Sequence, residues 1–183
     1  MAVSGGYNPN LHLTCHQRGK PKWNEVNHCF VPHNPPKTME VIGAANGLFN
    51  HEEMFNDSKI KLTKILRNLG FRKIAVEKVN ISKKVYQISP FPKKIPEGKI
   101  WVDLQNDVTV KDIKLAVHEG FHSVELLKRY TTLGMATDQG KNSNVLGLSV
   151  LSLIKNKTMH EVGTTIFRPP FTPVPIGAFA GRS

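Results

Sequence analysis

Cysteine is nearly absent from the sequence: Cys15 and Cys29 stand alone, and neither belongs to a C-x-x-C. That excludes a disulfide framework, and a reducing, cytoplasmic setting fits. No apolar run approaches the roughly 18 residues of a membrane-crossing helix, so no membrane partner is expected. The opening MAVSGGYNPN has neither a basic nor an apolar stretch, which leaves no secretory signal in view. There is also no G-x-G-x-x-G, so the phosphate-binding fingerprint of a complete dinucleotide-binding domain is missing.

What is present suits one domain of ordinary size or two small ones: 183 residues, 39% apolar and 21% charged. The net charge of +11 raises the question of a nucleic-acid partner. The basic residues are dispersed, however. Their densest stretch, KIAVEKVNISKKVYQISPFPKK, mixes lysine with β-branched residues and proline, and lacks the aromatic and glycine pattern of an RNA-binding sheet. No nucleic-acid partner is expected. A solvated lysine-rich surface, or a face that meets an acidic partner subunit, accounts for the charge.

The chain divides by pattern into four segments. Residues 1–70 begin with a short apolar piece turning at Gly5 and Gly6, followed by an irregular stretch punctuated by Pro21, Pro32, Pro35 and Pro36. MEVIGA then reads as a buried strand and ANG as a turn. Asn50 with Glu53 resembles a capping box, opening a helix with Met54, Ser58, Leu62, Ile65 and Leu69 at helical spacing and a stop at Gly70. Strand, glycine turn and helix in that order suit a nucleotide-binding α/β domain. Residues 71–100 read as a strand-bearing connector. Residues 101–160 read as a helical unit: Thr109 and Asp112 cap a helix with Val110, Ile113 and Val117 that ends at Gly120. Ser123 opens a second helix with Val124 and Leu127, and a third carries Val145, Leu148, Leu151 and Ile154. Residues 161–183 form a proline-rich, extended linker.

Two metal patterns fail on geometry. HEGFH (118–122) matches the zinc-protease H-E-x-x-H, which needs both histidines one turn apart on a continuous helix. Gly120 falls where the amphipathic pattern runs out, so the helix is expected to end inside the motif. His12, Cys15, His16, His28, Cys29 and His33 have spacings that match no usual zinc finger or ribbon.

The stretches AVSGGYNPNLHL, GAANG, VDLQNDVT, EGF, LKRYTTLGMATDQGKNSN, EVGTTIFRPPFTPV and GAFAGR occur in this order. Together they resemble the alpha subunit of heterotetrameric sarcosine oxidase, with KRYTTLGMATDQGK and GTTIFRPPFTPV the most specific pieces. The resemblance implies an α/β fold: a partial Rossmann-like dinucleotide-binding region, then a small helical domain resembling [2Fe-2S]-binding domains. The chain would be the middle of a longer subunit. It also implies the oxidation of sarcosine to glycine, transfer of the one-carbon unit to tetrahydrofolate, and peroxide formation. Flavin and folate would be held elsewhere in the complex, by other sarcosine oxidase subunits and domains.

Within the chain, the resemblance implies that Ser4, Gly5 and Gly6, and Gly43, Ala44, Ala45, Asn46 and Gly47, approach a bound dinucleotide. Related flavoproteins usually carry an aspartate where Asn46 stands, which implies NAD rather than flavin. In related amine and proline dehydrogenases four cysteines hold the cluster. The corresponding positions here are Asp103, Gln105, Asp138 and Ser143. Cluster iron needs thiolates, so no iron–sulfur cluster is expected, and the loop should be held by hydrogen bonds from Asp138, Gln139 and nearby amides. No catalytic residue and no metal ligand are assigned. The other readings are a cofactor-free interaction module and a subunit of a related amine or imino-acid dehydrogenase.

Overall fold

The computed structural model of the protein describes residues 7–71 and 93–181. The chain forms two compact units, Met1–Pro90 and Phe91–Ser183. Both helices and strands are present. Among the described residues no helix is long and apolar enough to cross a membrane.

The first unit contains a hairpin that the sequence reading missed. Strand β1 (Lys22–Asn24) pairs antiparallel with β2 (Cys29–Val31), with Trp23 opposite Phe30. Their rings meet edge to face at 5.0 Å, and both are buried. Asn24 closes the turn, its Oδ1 accepting from the N–H of Val26 at 2.9 Å and of Asn27 at 3.1 Å.

No strand forms at MEVIGA. Ile42 is exposed, and the carbonyl of Val41 accepts from the Lys61 ammonium at 2.8 Å rather than from a neighbouring strand. Without a partner ladder the apolar run stays irregular. The strands of this unit's described residues are thus antiparallel, whereas the expected dinucleotide-binding region uses parallel ones.

Helix α1 (His51–Asn68) starts where expected. Asn50 caps it by accepting from the N–H of Glu52 at 3.1 Å, without the reciprocal bond from Glu53 that a capping box requires. None of its residues is buried; Ile60 is 70% and Leu62 49% exposed. Its apolar stripe finds no core among the described residues.

The second unit carries a well-formed core. Strands β3 (Trp101–Asp103) and β4 (Val108–Thr109) make a short antiparallel hairpin with an irregularity between Trp101 and Asp103. Helices α2 (Val110–His118) and α4 (Asn144–Lys155) pack against it, α3 (Val124–Thr131) packs on α2, and a short α5 (Met159–Val162) packs on α4. Val102, Val108, Val110, Ile113, Ala116, Leu127, Leu133, Val150 and Leu151 form one buried cluster. The proline-rich segment after α5 is not wholly solvated: Thr165 and Phe171 are buried.

The caps of α2 and α3 follow the sequence. The N–H and the hydroxyl of Thr109 both donate to Asp112 Oδ2 at 2.7 Å, and Ser123 Oγ accepts from the N–H of Leu126 at 3.2 Å. α2 ends at His118, and Gly120 follows at φ +92°, so the helix stops inside HEGFH. His122 lies beyond it, and the pair cannot share one helical face.

Two outcomes are expected. Ile113 is fully buried, so Ile113→Ala should lower the stability of the helical unit by about 3 kcal/mol, read from urea denaturation followed by circular dichroism. The two bonds from Thr109 hold the Asp112 carboxyl below the usual carboxylate range. With its folded pKa depressed, Asp112 stabilises the fold above its unfolded pKa, and this contribution disappears as pH falls through the folded value. Asp112→Asn should therefore flatten the acid-side loss of stability between about pH 5 and pH 2, measured as urea midpoints.

Candidate functional site

The turn at residues 43–47 is a single 3-10 turn, Gly43–Asn46, closed by Gly47 at φ +77°. The N–H of Gly47 donates to Ala44 O at 3.0 Å and the N–H of Leu48 to Gly43 O at 3.2 Å. Asn27 Nδ2 donates to Gly47 O at 2.8 Å, tying the turn to the β1–β2 hairpin. A Cβ at Gly47 would lie 2.5 Å from Val31 Cγ1, so glycine stands there to let the hairpin approach the backbone.

That arrangement does not by itself fit a dinucleotide. A phosphate cradle needs outward-pointing amides and open space over a bare Cα. Here the amides of Gly47 and Leu48 close the turn, and the Val31 side chain fills the space over Gly47. Ser4, Gly5 and Gly6 lie outside the described residues. Within the described part of the turn, Gly47 serves the packing of the hairpin.

Cys15 and Cys29 are free and buried. Burial pushes the Cys29 thiol up to about 11, so it stays protonated at neutral pH and is a poor metal ligand. Among the described residues no group of three or more His, Cys, Asp or Glu side chains could hold a metal.

In the second unit Asp103, Gln105, Asp138 and Ser143 do come together. Asp103, at the end of β3, is buried. Its Oδ2 accepts from the N–H of Gly134 at 2.8 Å and from Ser143 Oγ at 3.4 Å. Its Oδ1 accepts from the N–H of Gln105 at 2.9 Å and of Asn106 at 3.3 Å. The N–H of Asp138 donates to Gln105 Oε1 at 3.4 Å. Asp138 in turn folds its own loop, Oδ1 accepting from the N–H of Gly140 at 3.0 Å and Oδ2 from that of Asn142 at 3.4 Å. Gln139 Nε2 donates to Ala136 O at 3.3 Å.

These residues do not fit an iron–sulfur cluster. The four side chains are oxygen-bearing, they engage one another or neighbouring amides, and none offers a thiolate. Gly134, at φ +67°, lies so close to the Asn144 amide that any side chain would collide with it. Asn106 Nδ2 also donates to Thr132 O at 2.9 Å, bracing the hairpin turn on the loop. The central role of Asp103 was not foreseen. The available signal was WVD and VT flanking the turn-forming LQND, a hairpin that would set Asp103 at a strand end.

A further cluster was missed altogether. Lys128 and Arg129 on α3 and Arg168 after α5 share a cavity of about 190 Å³ with Glu125, Phe167 and Phe171. Forty positions separate Lys128 from Arg168, and no local pattern links them.

Residues 97–182 match the family described as the Sarcosine oxidase A3 domain. The chain is 42% identical, over 99% of its length, to the sarcosine oxidase subunit alpha of Rhizobium meliloti (strain 1021), and covers 19% of that protein. It is 34% identical over its whole length to the same subunit of Corynebacterium sp. (strain U-96), covering 20% of it. Among solved structures it is similar to L-proline dehydrogenase from P. horikoshii, with a TM-score of 0.69 at 19% identity, over 96% of this chain and 38% of that one. The last likeness is one of fold. The chain spans about a fifth of the length of the curated relatives it matches.

If Asp103 anchors the loop, Asp103→Ala should cost about 3 kcal/mol, because four donors lose a buried acceptor. Hydrogen exchange at the Gly134 amide should accelerate in step. A loss below about 0.5 kcal/mol would show that the loop holds without it.

Proposed function

From the likeness of this chain to part of the sarcosine oxidase alpha subunit, we propose that it works as a region of an alpha-type subunit in a heterotetrameric, cytoplasmic sarcosine oxidase. One observation carries the reading: identity to that subunit runs along the entire chain rather than through one motif. In this assembly sarcosine loses its methyl group and becomes glycine, and the one-carbon unit passes to tetrahydrofolate. The two electrons removed reach oxygen as hydrogen peroxide. Flavin and folate are held by other parts of the complex.

This chain supplies no catalytic residue in that scheme. Ser4, Gly5, Gly6 and the turn Gly43, Ala44, Ala45, Asn46 and Gly47 border an NAD site whose phosphate-binding amides come from elsewhere in the subunit. Residues 101–160 are a helical support in which hydrogen bonds among Asp103, Gln105, Asp138 and Ser143 occupy the place of a cluster. Partner subunits then have two surfaces to meet: the exposed apolar residues of α1, such as Ile60 and Leu62, and the net positive charge. The cofactor-free interaction module is favoured for the isolated chain by the internal satisfaction of both loops.

The test is catalytic. The native assembly, captured with an antibody against this chain, should take up oxygen on addition of sarcosine and release peroxide. Oxygen uptake with L-proline but not sarcosine would assign it to the imino-acid dehydrogenases instead. Activity with neither substrate, in an assembly that retains its flavin, would overturn the reading.

A further inference from the structure

Sulfur is scarce in this chain, and among the described residues the fold keeps most of it away from solvent. Cys15 and Cys29 are buried, and burial pushes the Cys29 thiol up to about 11, so its reactive thiolate is scarcely populated at neutral pH. Met159 is buried at the start of α5. Met39 and Met54 are half-buried, and the Met54 methyl group lies 3.3 Å from where a Cβ on Gly43 would stand. Met135 is different. It is 53% exposed, and it is the one exposed methionine among the described residues.

Its neighbours hold it there. Leu133 is buried in the core, where a Cβ on Gly147 would lie 2.5 Å from its Cδ2. The N–H of Gly134 donates to Asp103 Oδ2 at 2.8 Å. The N–H of Met135 donates to Thr132 O at 3.1 Å, and Asn106 Nδ2 donates to the same carbonyl at 2.9 Å. With the backbone tied in this way, the Met135 side chain stays at the wall of the cavity that Lys128, Arg168 and Phe171 also line. Oxidation turns an apolar thioether into a polar sulfoxide. At Met135 the added oxygen meets water and has an ammonium and a guanidinium in the same cavity to donate to it. At Met159 the same oxygen would have to be buried, at a cost in stability.

We propose that Met135 is the oxidation site of this chain, taking one oxygen atom from a hydroperoxide to become methionine sulfoxide. The Sδ lone pair attacks the peroxide oxygen, and the O–O bond breaks as the S–O bond forms. Sulfur gives up two electrons, and the peroxide remnant takes a proton and leaves as water, or as an alcohol from an alkyl hydroperoxide. Exposure decides which sulfur reacts, because Sδ and the peroxide must touch. The sarcosine reading would supply the oxidant within the assembly, since hydrogen peroxide is a product there; the reactivity of Met135 itself does not rest on that reading.

The test treats the full chain with hydrogen peroxide added from outside, so its outcome is independent of any turnover with sarcosine. Peptide mapping by mass spectrometry follows each methionine, and dimedone labelling reports sulfenic acid at Cys15 or Cys29. Met135 should gain one oxygen roughly tenfold faster than Met39, Met54 or Met159, with neither cysteine labelled in that phase. The singly oxidised chain should keep its circular dichroism spectrum and its urea midpoint. Met135→Leu changes an exposed side chain outside the core cluster, and should delete the fast phase while leaving the slow ones. Oxidation of Met39, Met54 or Met159 as fast as Met135, labelling of either cysteine first, or a fast phase that survives in Met135→Leu would each overturn the proposal.

Discussion

The carboxylate of Asp103 is the point on which the second unit is organised. It sits buried at the end of β3 and takes hydrogen bonds from both directions along the chain. Oδ1 receives the amides of Gln105 and Asn106 and shapes the hairpin turn. Oδ2 receives Gly134 and Ser143 and fastens the loop between α3 and α4. A buried carboxylate is expensive unless its lone pairs are filled, and here four donors fill them. The loop needs that anchor because so much of it is irregular backbone: Thr132, Gly134, Gln139 and Gly140 all have positive φ.

The same logic explains how the loop holds its shape with protein atoms. Four positions converge from the β3 turn, the loop and the start of α4. Where thiolates could bind iron, Asp103 and Ser143 bond one another and Gln105 meets the Asp138 amide. The glycine turn of the first unit is a parallel case. Its glycines suggest a nucleotide, but the bare Cα of Gly47 faces Val31, and its carbonyl is taken by Asn27. Close backbone approach is needed for packing as much as for ligands, so glycine alone does not distinguish them.

The electrostatics of the second unit point elsewhere. Asp112 is spent on the Thr109 cap, and Glu125 stands alone among the cations of the α3 cavity. Lys128 is half-buried on α3, in a cavity it shares with Phe167, Arg168 and Phe171. The fold therefore leaves uncompensated positive charge in a concave, aromatic-walled place, while the other polar loops are satisfied internally.

Local chemistry made much of this readable from the sequence. Thr109 with Asp112 and Ser123 before Val124 set two helix starts, Gly120 set a stop, and the 3.6-residue spacing of Leu148 and Leu151 named core positions. These depend on interactions within a few residues. MEVIGA looked like a strand for the same local reason and is not one, because a strand exists only with a partner and Val41 O found Lys61 instead. The two short hairpins escaped notice, being three residues long or less in each strand and carrying too little alternation to register. What only the tertiary structure decided is which distant polar groups meet: Asp103 with Gly134 and Ser143, and Lys128 with Arg168. Such meetings rest on long-range packing of β3, α3 and α4 about Ile113, Leu127 and Leu151, and no spacing along the chain encodes them.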